Sequence, residues 1–363
     1  MKAIIYFNRP NQVKLINLPI PKLRSTKQVL VRIEKIGICG TDRELIKQRD
    51  VLLPIHSKYI VLGHEAVGKV IKVGRSVHKL NEGDWVVPTV SRGCQRCKFC
   101  RLGYPDLCNS TNLRERGVSM INGFMADYVV EDERNLIKIP NTTVNFAVLI
   151  EPFSIALKIS DIVCAHQSSR MKPNVRNLLG LKCLVLGFGA MGALTSILFK
   201  FLEAQVMLVG RRPANSKHAN ILKKIDISYL YDRSNGRNLD NKITNNFDVL
   251  VDTTGNLLIV KNALSKLNAN GIIILLSIKN PSLFRLNCKN LNDLVIKKVL
   301  TLSCVHGSNM VYMKKAVMFL TEINRQFPNL IQPMLYQERN TNKFLDLILK
   351  KRKNTIKTVL CFS

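Results

Sequence analysis

The sequence predicts an α/β protein in two parts. A β-rich domain carries reactive side chains on loops, and a doubly wound parallel sheet follows it. Three observations lead there. Short alternating runs separated by Pro and Gly fill the first part. A G-x-G-x-x-G turn lies between an apolar run and a helical stretch. Beyond it, apolar runs too short for helices alternate with helical segments, as a parallel sheet requires.

The chain has 363 residues, enough for two domains with separate cores. Hydrophobic residues make up 46% and charged residues 22%, the balance of a globular protein. The apolar run within Met1–Pro10 is too short for a signal peptide. The longest apolar run, near Ile272–Ile278, falls far below the ~18 residues of a membrane span. A cytoplasmic protein without membrane contact is expected. The net charge of +30 raises nucleic acid as a partner. The basic residues are spread along the chain, however, and only Lys350-Lys351-Arg352-Lys353 forms a run. A solvated lysine-rich surface that attracts an anionic cofactor is the reading taken, with nucleic acid not expected.

The first part reads as strands Ala3–Phe7, Val13–Leu18 and Val29–Ile36, then Ala66–Gly74 and Gly83–Pro88. A helix opens near Cys39-Gly40-Thr41-Asp42, with Thr41 or Asp42 as its cap. Cys39 and the pair His64-Glu65 stand beside glycines, which let backbone and metal approach closely. A thiolate, an imidazole and a carboxylate can hold one zinc and leave a fourth position open, the arrangement of a catalytic metal. Glu65 could instead orient the ligands. Of ten cysteines, Cys94, Cys97, Cys100 and Cys108 form C-x2-C-x2-C-x7-C, the spacing of a closed structural zinc site, in a lobe spanning 93–109. A nucleic-acid-binding zinc module is the rival, but no recognition helix or histidine pair follows. Cys164, Cys183, Cys288, Cys304 and Cys361 read as small buried apolar residues.

Helical composition from Asp161 gives way to a linker before Leu181. The run Lys182–Leu186 then enters Gly187-Phe188-Gly189-Ala190-Met191-Gly192 and a helix. The glycines allow a tight turn, approach of a pyrophosphate and close helix–strand packing. Further strands are expected at Gln205–Val209, Asn246–Asp252 and Gly271–Leu276. The tip of the second, Val209-Gly210-Arg211-Arg212-Pro213, has no acid for a ribose hydroxyl. Two arginines suit a 2′-phosphate, so NADP is favoured, with NAD the alternative if both arginines are merely solvated. Helices at Met313–Asn324 and Phe344–Lys351 and a strand at Ile356–Phe362 complete the chain. The domains are set at 1–160, 161–305 and a returning segment 306–363.

Gly37-Ile38-Cys39-Gly40-Thr41-Asp42-Arg43-Glu44, Leu62-Gly63-His64-Glu65-Ala66, Arg92-Gly93-Cys94, Gly123-Phe124-Met125 and Asp252-Thr253-Thr254-Gly255 resemble blocks of the zinc-dependent medium-chain dehydrogenase family. Within it, they are similar to the archaeal-type glucose 1-dehydrogenase group. The resemblance covers essentially the whole chain. It implies a GroES-like catalytic domain, a Rossmann domain, two zinc ions per subunit and a homodimer or homotetramer. By the same resemblance Cys39, His64 and Glu65 bind the catalytic zinc, with Glu151 a further carboxylate as ligand or through water. Thr41 and Glu115 then touch the substrate, and Leu276, Ser277, Ile278, Cys304, Val305 and His306 line the cofactor. The blander alternatives are a helix cap for Thr41, an exposed ion pair for Glu115 and a first-turn acid for Glu151. The activity implied is oxidation of an aldose, D-glucose to gluconolactone. Val90, Ile155 and Ile296 stand where sugar-oxidising relatives carry polar residues, which favours a polyol, secondary-alcohol or threonine dehydrogenase as the alternative.

Overall fold

A computed structural model describes residues 1–7, 9, 12–47, 51–109, 114–170, 176–234, 236–237, 239–277, 292–338, 340–350 and 355–362. It forms two compact units, Met1–Ser154 with Gly307–Ser363, and Ile155–His306. The boundary falls inside the helix Ile150–Arg170.

The first unit is organised on one long strand, Gln28–Ile38. Val29, Val31, Ile33 and Ile36 on it are buried, as a period-2 run of β-branched residues dictates. It pairs antiparallel with Glu65–Val73 and Lys357–Cys361, and along its first half with Tyr128–Asp132. The register sets Gly37 opposite Glu65 on one side and Val359 on the other. A smaller sheet pairs Lys2–Tyr6 with Val13–Asn17 and with Ile60–Val61. Ile4, Ile33, Ile36, Ile60, Leu62 and Phe124 fill the core with almost no exposure. Each such side chain contributes about 1.5–3 kcal/mol by leaving water.

The short helix corrects one expectation. It spans Gly40–Lys47, so Thr41 and Asp42 lie within its first turn and Cys39 precedes it. Asp42 reaches back instead, its carboxylate accepting from the Cys39 amide at 2.8 Å. That is the reciprocal half of a capping box.

The second unit is a six-stranded parallel sheet. Its spatial order is Ser228–Tyr231, Gln205–Gly210, Lys182–Leu186, Phe247–Asp252, Leu267–Leu275 and Thr301–Cys304. Cys183–Leu186 and Val249–Asp252 are fully buried, as strands covered on both faces should be. The doubly wound expectation holds. The edge strand Thr301–Cys304 instead alternates, with Leu302 62% exposed. Cys304 is therefore exposed rather than a buried apolar residue, Cys164 is half-buried, and among the described residues only Cys183 and Cys361 fit that reading. Cys288, Ile278 and Lys351-Arg352-Lys353 lie outside the described residues. Among the described residues no helix is long and apolar enough to cross a membrane.

Candidate active site

Three ligand-type residues converge in the first unit. Cys39 follows the central strand, while Glu65 opens the neighbouring strand and His64 directly precedes it. One ligand atom from each of Cys39, His64 and Glu65 lies within 4.8 Å of the others. Gly37 permits this, because a Cβ there would strike the Glu65 carboxylate. Thr41 Oγ1 sits 3.7 Å from the Cys39 sulfur.

Two buried groups hold the cluster. Asp42 Oδ1 faces His64 Nδ1 at 3.7 Å, and neither atom has a hydrogen-bond partner. The other imidazole nitrogen meets the Cys39 thiol, which leaves Nε2 as the metal-facing atom. Burial pulls the His64 pKa down, but Cys39, Asp42 and Glu151 outweigh it and hold the ring well above the ordinary value. On the far side, Lys357 Nζ lies 2.6 Å from both oxygens of Glu65. Lys357 comes from the strand Lys357–Cys361, across the central strand from Glu65, and reaches over the bare backbone of Gly37. Each carboxylate oxygen has a second lone pair, so the ion pair leaves Glu65 able to ligate.

Glu151 is buried in the first turn of its helix. Burial, then the neighbouring Glu65 and Glu115 charges, push its carboxyl up to about 7, against the pull of His64 and Lys357. It stands outside the three-residue group but inside its electrostatic field. Glu115 is buried, not an exposed ion pair, and accepts from Ser91 Oγ at 3.4 Å. The adjacent Arg116 turns to Glu131 instead.

The four remaining clustered cysteines also converge, their sulfurs within 4.8 Å of one another. Cys94–Cys100 and Cys97–Cys108 sulfurs are 4.0 Å apart. A tetrahedron with Zn–S near 2.3 Å has edges of about 3.8 Å, so the set fits zinc. Backbone amides donate to Cys94 and Cys108 sulfurs at 3.3 Å. Backbone hydrogen bonds pull Cys94 and Cys97 down, Cys97 to about 6, while burial first and then its neighbours push Cys100 up to about 12. Four thiolates together need a cation. Gly93 lies against Cys100, where a Cβ would not fit.

In the second unit Gly187 has φ +109°, and a Cβ there would lie 2.5 Å from Thr253 Oγ1. A Cβ on Gly192 would collide with the Gly187 carbonyl. The helix Ala190–Phe201 starts behind Gly189 with no side-chain cap, which leaves its first amides available, the arrangement that suits an anion. Thr253 donates to the Leu186 carbonyl at 2.8 Å, and Asp252 accepts from the Thr254 and Gly255 amides. This braces the turn from the next strand.

Residues 25–141 match the alcohol dehydrogenase GroES-like domain, and residues 144–362 match the glucose dehydrogenase C-terminus. The chain belongs to the zinc-dependent medium-chain dehydrogenase family. Glucose 1-dehydrogenase of Methanocella arvoryzae is 30% identical over 336 residues, 92% of this chain and 91% of that one. Glucose 1-dehydrogenase 2 of Vulcanisaeta moutnovskia is 30% identical, covering 99% of both chains. Among solved structures, Haloferax mediterranei glucose dehydrogenase in complex with NADP, Zn and gluconolactone superposes with a TM-score of 0.86 at 25% identity. The match spans 100% of this chain and 99% of that one. Galactitol-1-phosphate dehydrogenase from Escherichia coli shares the fold, with TM-score 0.80 at 20% identity.

Within this medium-chain dehydrogenase, sequence reasoning missed Lys357 and Lys158, and gave Asp42 only as a helix cap. Lys357 and Asp42 tie down the metal-type cluster. Lys158, buried on the long helix, donates to the His306 carbonyl at 2.9 Å and so fixes the Val305–His306 stretch. Val305 is buried, while His306 and Ser277 are exposed and Leu276 is half-buried. Arg211 is exposed and Arg212 half-buried. Val90 is buried, Ile155 half-buried, and Ile296 61% exposed.

Proposed function

We propose that this enzyme oxidises an aldose, D-glucose to gluconolactone, by hydride transfer to NADP, with NAD as the weaker cofactor. The observation that carries the reading is the grouping of Cys39, His64 and Glu65 within 4.8 Å, in a family whose relatives are glucose dehydrogenases. Sulfur, nitrogen and oxygen donors at this spacing suit zinc, and Cys39, His64 and Glu65 would hold it, with Glu151 beside them. Zinc bound there supplies Lewis-acid polarisation of the substrate hydroxyl. Thr41 orients that hydroxyl and passes its proton onward, with the buried Glu151 carboxyl group beside it. The anomeric carbon gives up hydride to the nicotinamide, and the ring oxygen and carbonyl of the lactone remain. Glu115, held by Ser91, accepts hydrogen bonds from sugar hydroxyls. Cys94, Cys97, Cys100 and Cys108 hold a second zinc that only shapes its lobe.

Val90 is buried and apolar, which supports a polyol or secondary alcohol as the second reading. Cysteines grouped at metal-type spacing rather than in disulfides suit a reducing, cytoplasmic setting. The edge strand Thr301–Cys304 exposes Leu302, near exposed Val299 and Ile296, and supports a homo-oligomer. A panel of aldoses, polyols and secondary alcohols, each with NADP and NAD, tests the function by absorbance of the reduced nicotinamide. D-glucose with NADP should give the highest kcat/KM. A simple secondary alcohol outperforming every aldose would move the assignment to the second reading.

A further inference from the structure

The arginine tip of the second Rossmann strand is tied into a small aromatic cluster. Arg212 Nε donates to the Phe188 carbonyl, inside the glycine turn, at 3.0 Å. Its guanidinium carbon lies 5.6 Å from the Phe188 ring centroid, within cation–π range. Tyr229 stands on the neighbouring strand, Ser228–Tyr231, opposite Leu208. Its hydroxyl donates to the Arg212 carbonyl at 2.7 Å. Its ring packs on Phe188 with centroids 5.0 Å apart at 57°. Gly210 makes room, since a Cβ there would lie 2.5 Å from Phe188 Cβ and 3.2 Å from the Tyr229 hydroxyl oxygen. Burial pushes the Tyr229 hydroxyl up to about 12, so it remains a donor at any working pH.

The consequence is mechanical. Two arginines on an open loop would lose about 2 kcal/mol of rotamer freedom each on gripping a phosphate. Here the backbone at Arg212 is held before the cofactor arrives. One hydroxyl holds the Arg212 carbonyl, and one aromatic ring joins that point to the turn where the pyrophosphate binds.

We propose that Tyr229 is a positioning residue for the ribose 2′-phosphate: its hydroxyl holds the Arg211–Arg212 backbone against the glycine turn and so sets the preference for NADP over NAD. The inference rests on the reading of NADP as the cofactor.

The test uses the zinc-loaded enzyme and measures Kd for NADP, NAD and 2′,5′-ADP by calorimetry, with melting temperature alongside. Tyr229→Phe keeps the ring and removes one hydrogen bond. It should weaken NADP and 2′,5′-ADP about five- to tenfold, the usual worth of one hydrogen bond. NAD affinity and melting temperature should stay near wild type. In turnover, KM for NADP should rise with kcat unchanged. Arg211→Ala, which removes an exposed guanidinium without touching the cluster, should weaken the same two ligands more strongly. An unchanged NADP-to-NAD affinity ratio in Tyr229→Phe would overturn the proposal, as would equal weakening of both, the mark of a merely structural tyrosine. Wild-type enzyme that binds NAD as tightly as NADP would overturn the cofactor reading itself, and the proposal with it.

Discussion

The ammonium of Lys357 sits 2.6 Å from each carboxylate oxygen of Glu65, and both side chains are almost wholly buried. Burial disfavours the Lys357 charge, yet Glu65 and Cys39 more than compensate, and its pKa is raised. The lysine thus fixes the orientation of a carboxylate beside the metal-type donors. Lys357→Met should lower zinc affinity or kcat/KM by roughly 10–100-fold, the usual effect of removing a partner behind a ligand. In the metal-free protein it should also destabilise the first unit by about 3–5 kcal/mol, because the buried Glu65 charge loses its partner. Lys357→Arg should recover part of both. Zinc titration and thermal melting read the two effects separately.

The four-cysteine lobe should behave as a folding device. Its Asp106 accepts from Asn309 Nδ2 at 2.9 Å, and Asn309 caps the helix Met310–Gln326. Cys97→Ser should remove one zinc per chain, lower the melting temperature and expose the lobe to proteolysis. Metal analysis and limited proteolysis check it. A variant that keeps both metals and wild-type protease resistance would contradict the assignment.

Acid stability should hinge on Glu131. Burial opposes its charge, but Arg116 and Arg92 prevail and lower its carboxyl to about 2, from 4.5. The folded pKa is depressed, so the stabilisation is present above the unfolded value and is lost as pH falls through the folded one. Between pH 4.5 and about 2 the enzyme should lose on the order of 3 kcal/mol from this group. Glu131→Gln should be less stable than wild type at pH 7 and should flatten the decline across that window, as followed by denaturant melts.

Gly192 packs against the Gly187 carbonyl so closely that a Cβ has no space. Gly192→Ala should therefore abolish dinucleotide binding while both zinc sites in the first unit stay loaded. Calorimetry with NADP and elemental analysis on the same sample make the comparison.

What spacing alone made legible was local, and the grouping of Cys39 with His64-Glu65 rested on residue type beside glycines. Cys94-x2-Cys97-x2-Cys100 and the Gly187–Gly192 turn each place their chemistry within one loop, so spacing alone reports it. Glu65 and Lys357 are 292 residues apart, and only strand order brings them together over Gly37. No periodicity carries that information. The role of Asp42 was hidden for a different reason. An acid near a helix start suggests the cap residue itself, yet here it lies within the first turn, serving the Cys39 amide and facing His64. The burial of Glu115, set between Arg114 and Arg116, was equally invisible, because a charged triplet reads as surface. The signal that could have exposed Lys357 was its place as the one charge in the final strand Lys357–Cys361, where a buried charge needs a partner.

The central claim is that a metal with an open position is held by Cys39 and His64 and carries out the oxidation. The most direct measurement is zinc content and turnover of Cys39→Ser beside wild type, with NADP affinity measured on both. The account predicts two zinc ions per wild-type chain and one in the variant, turnover lost and NADP binding retained. A variant with two zinc ions and undiminished turnover would contradict it.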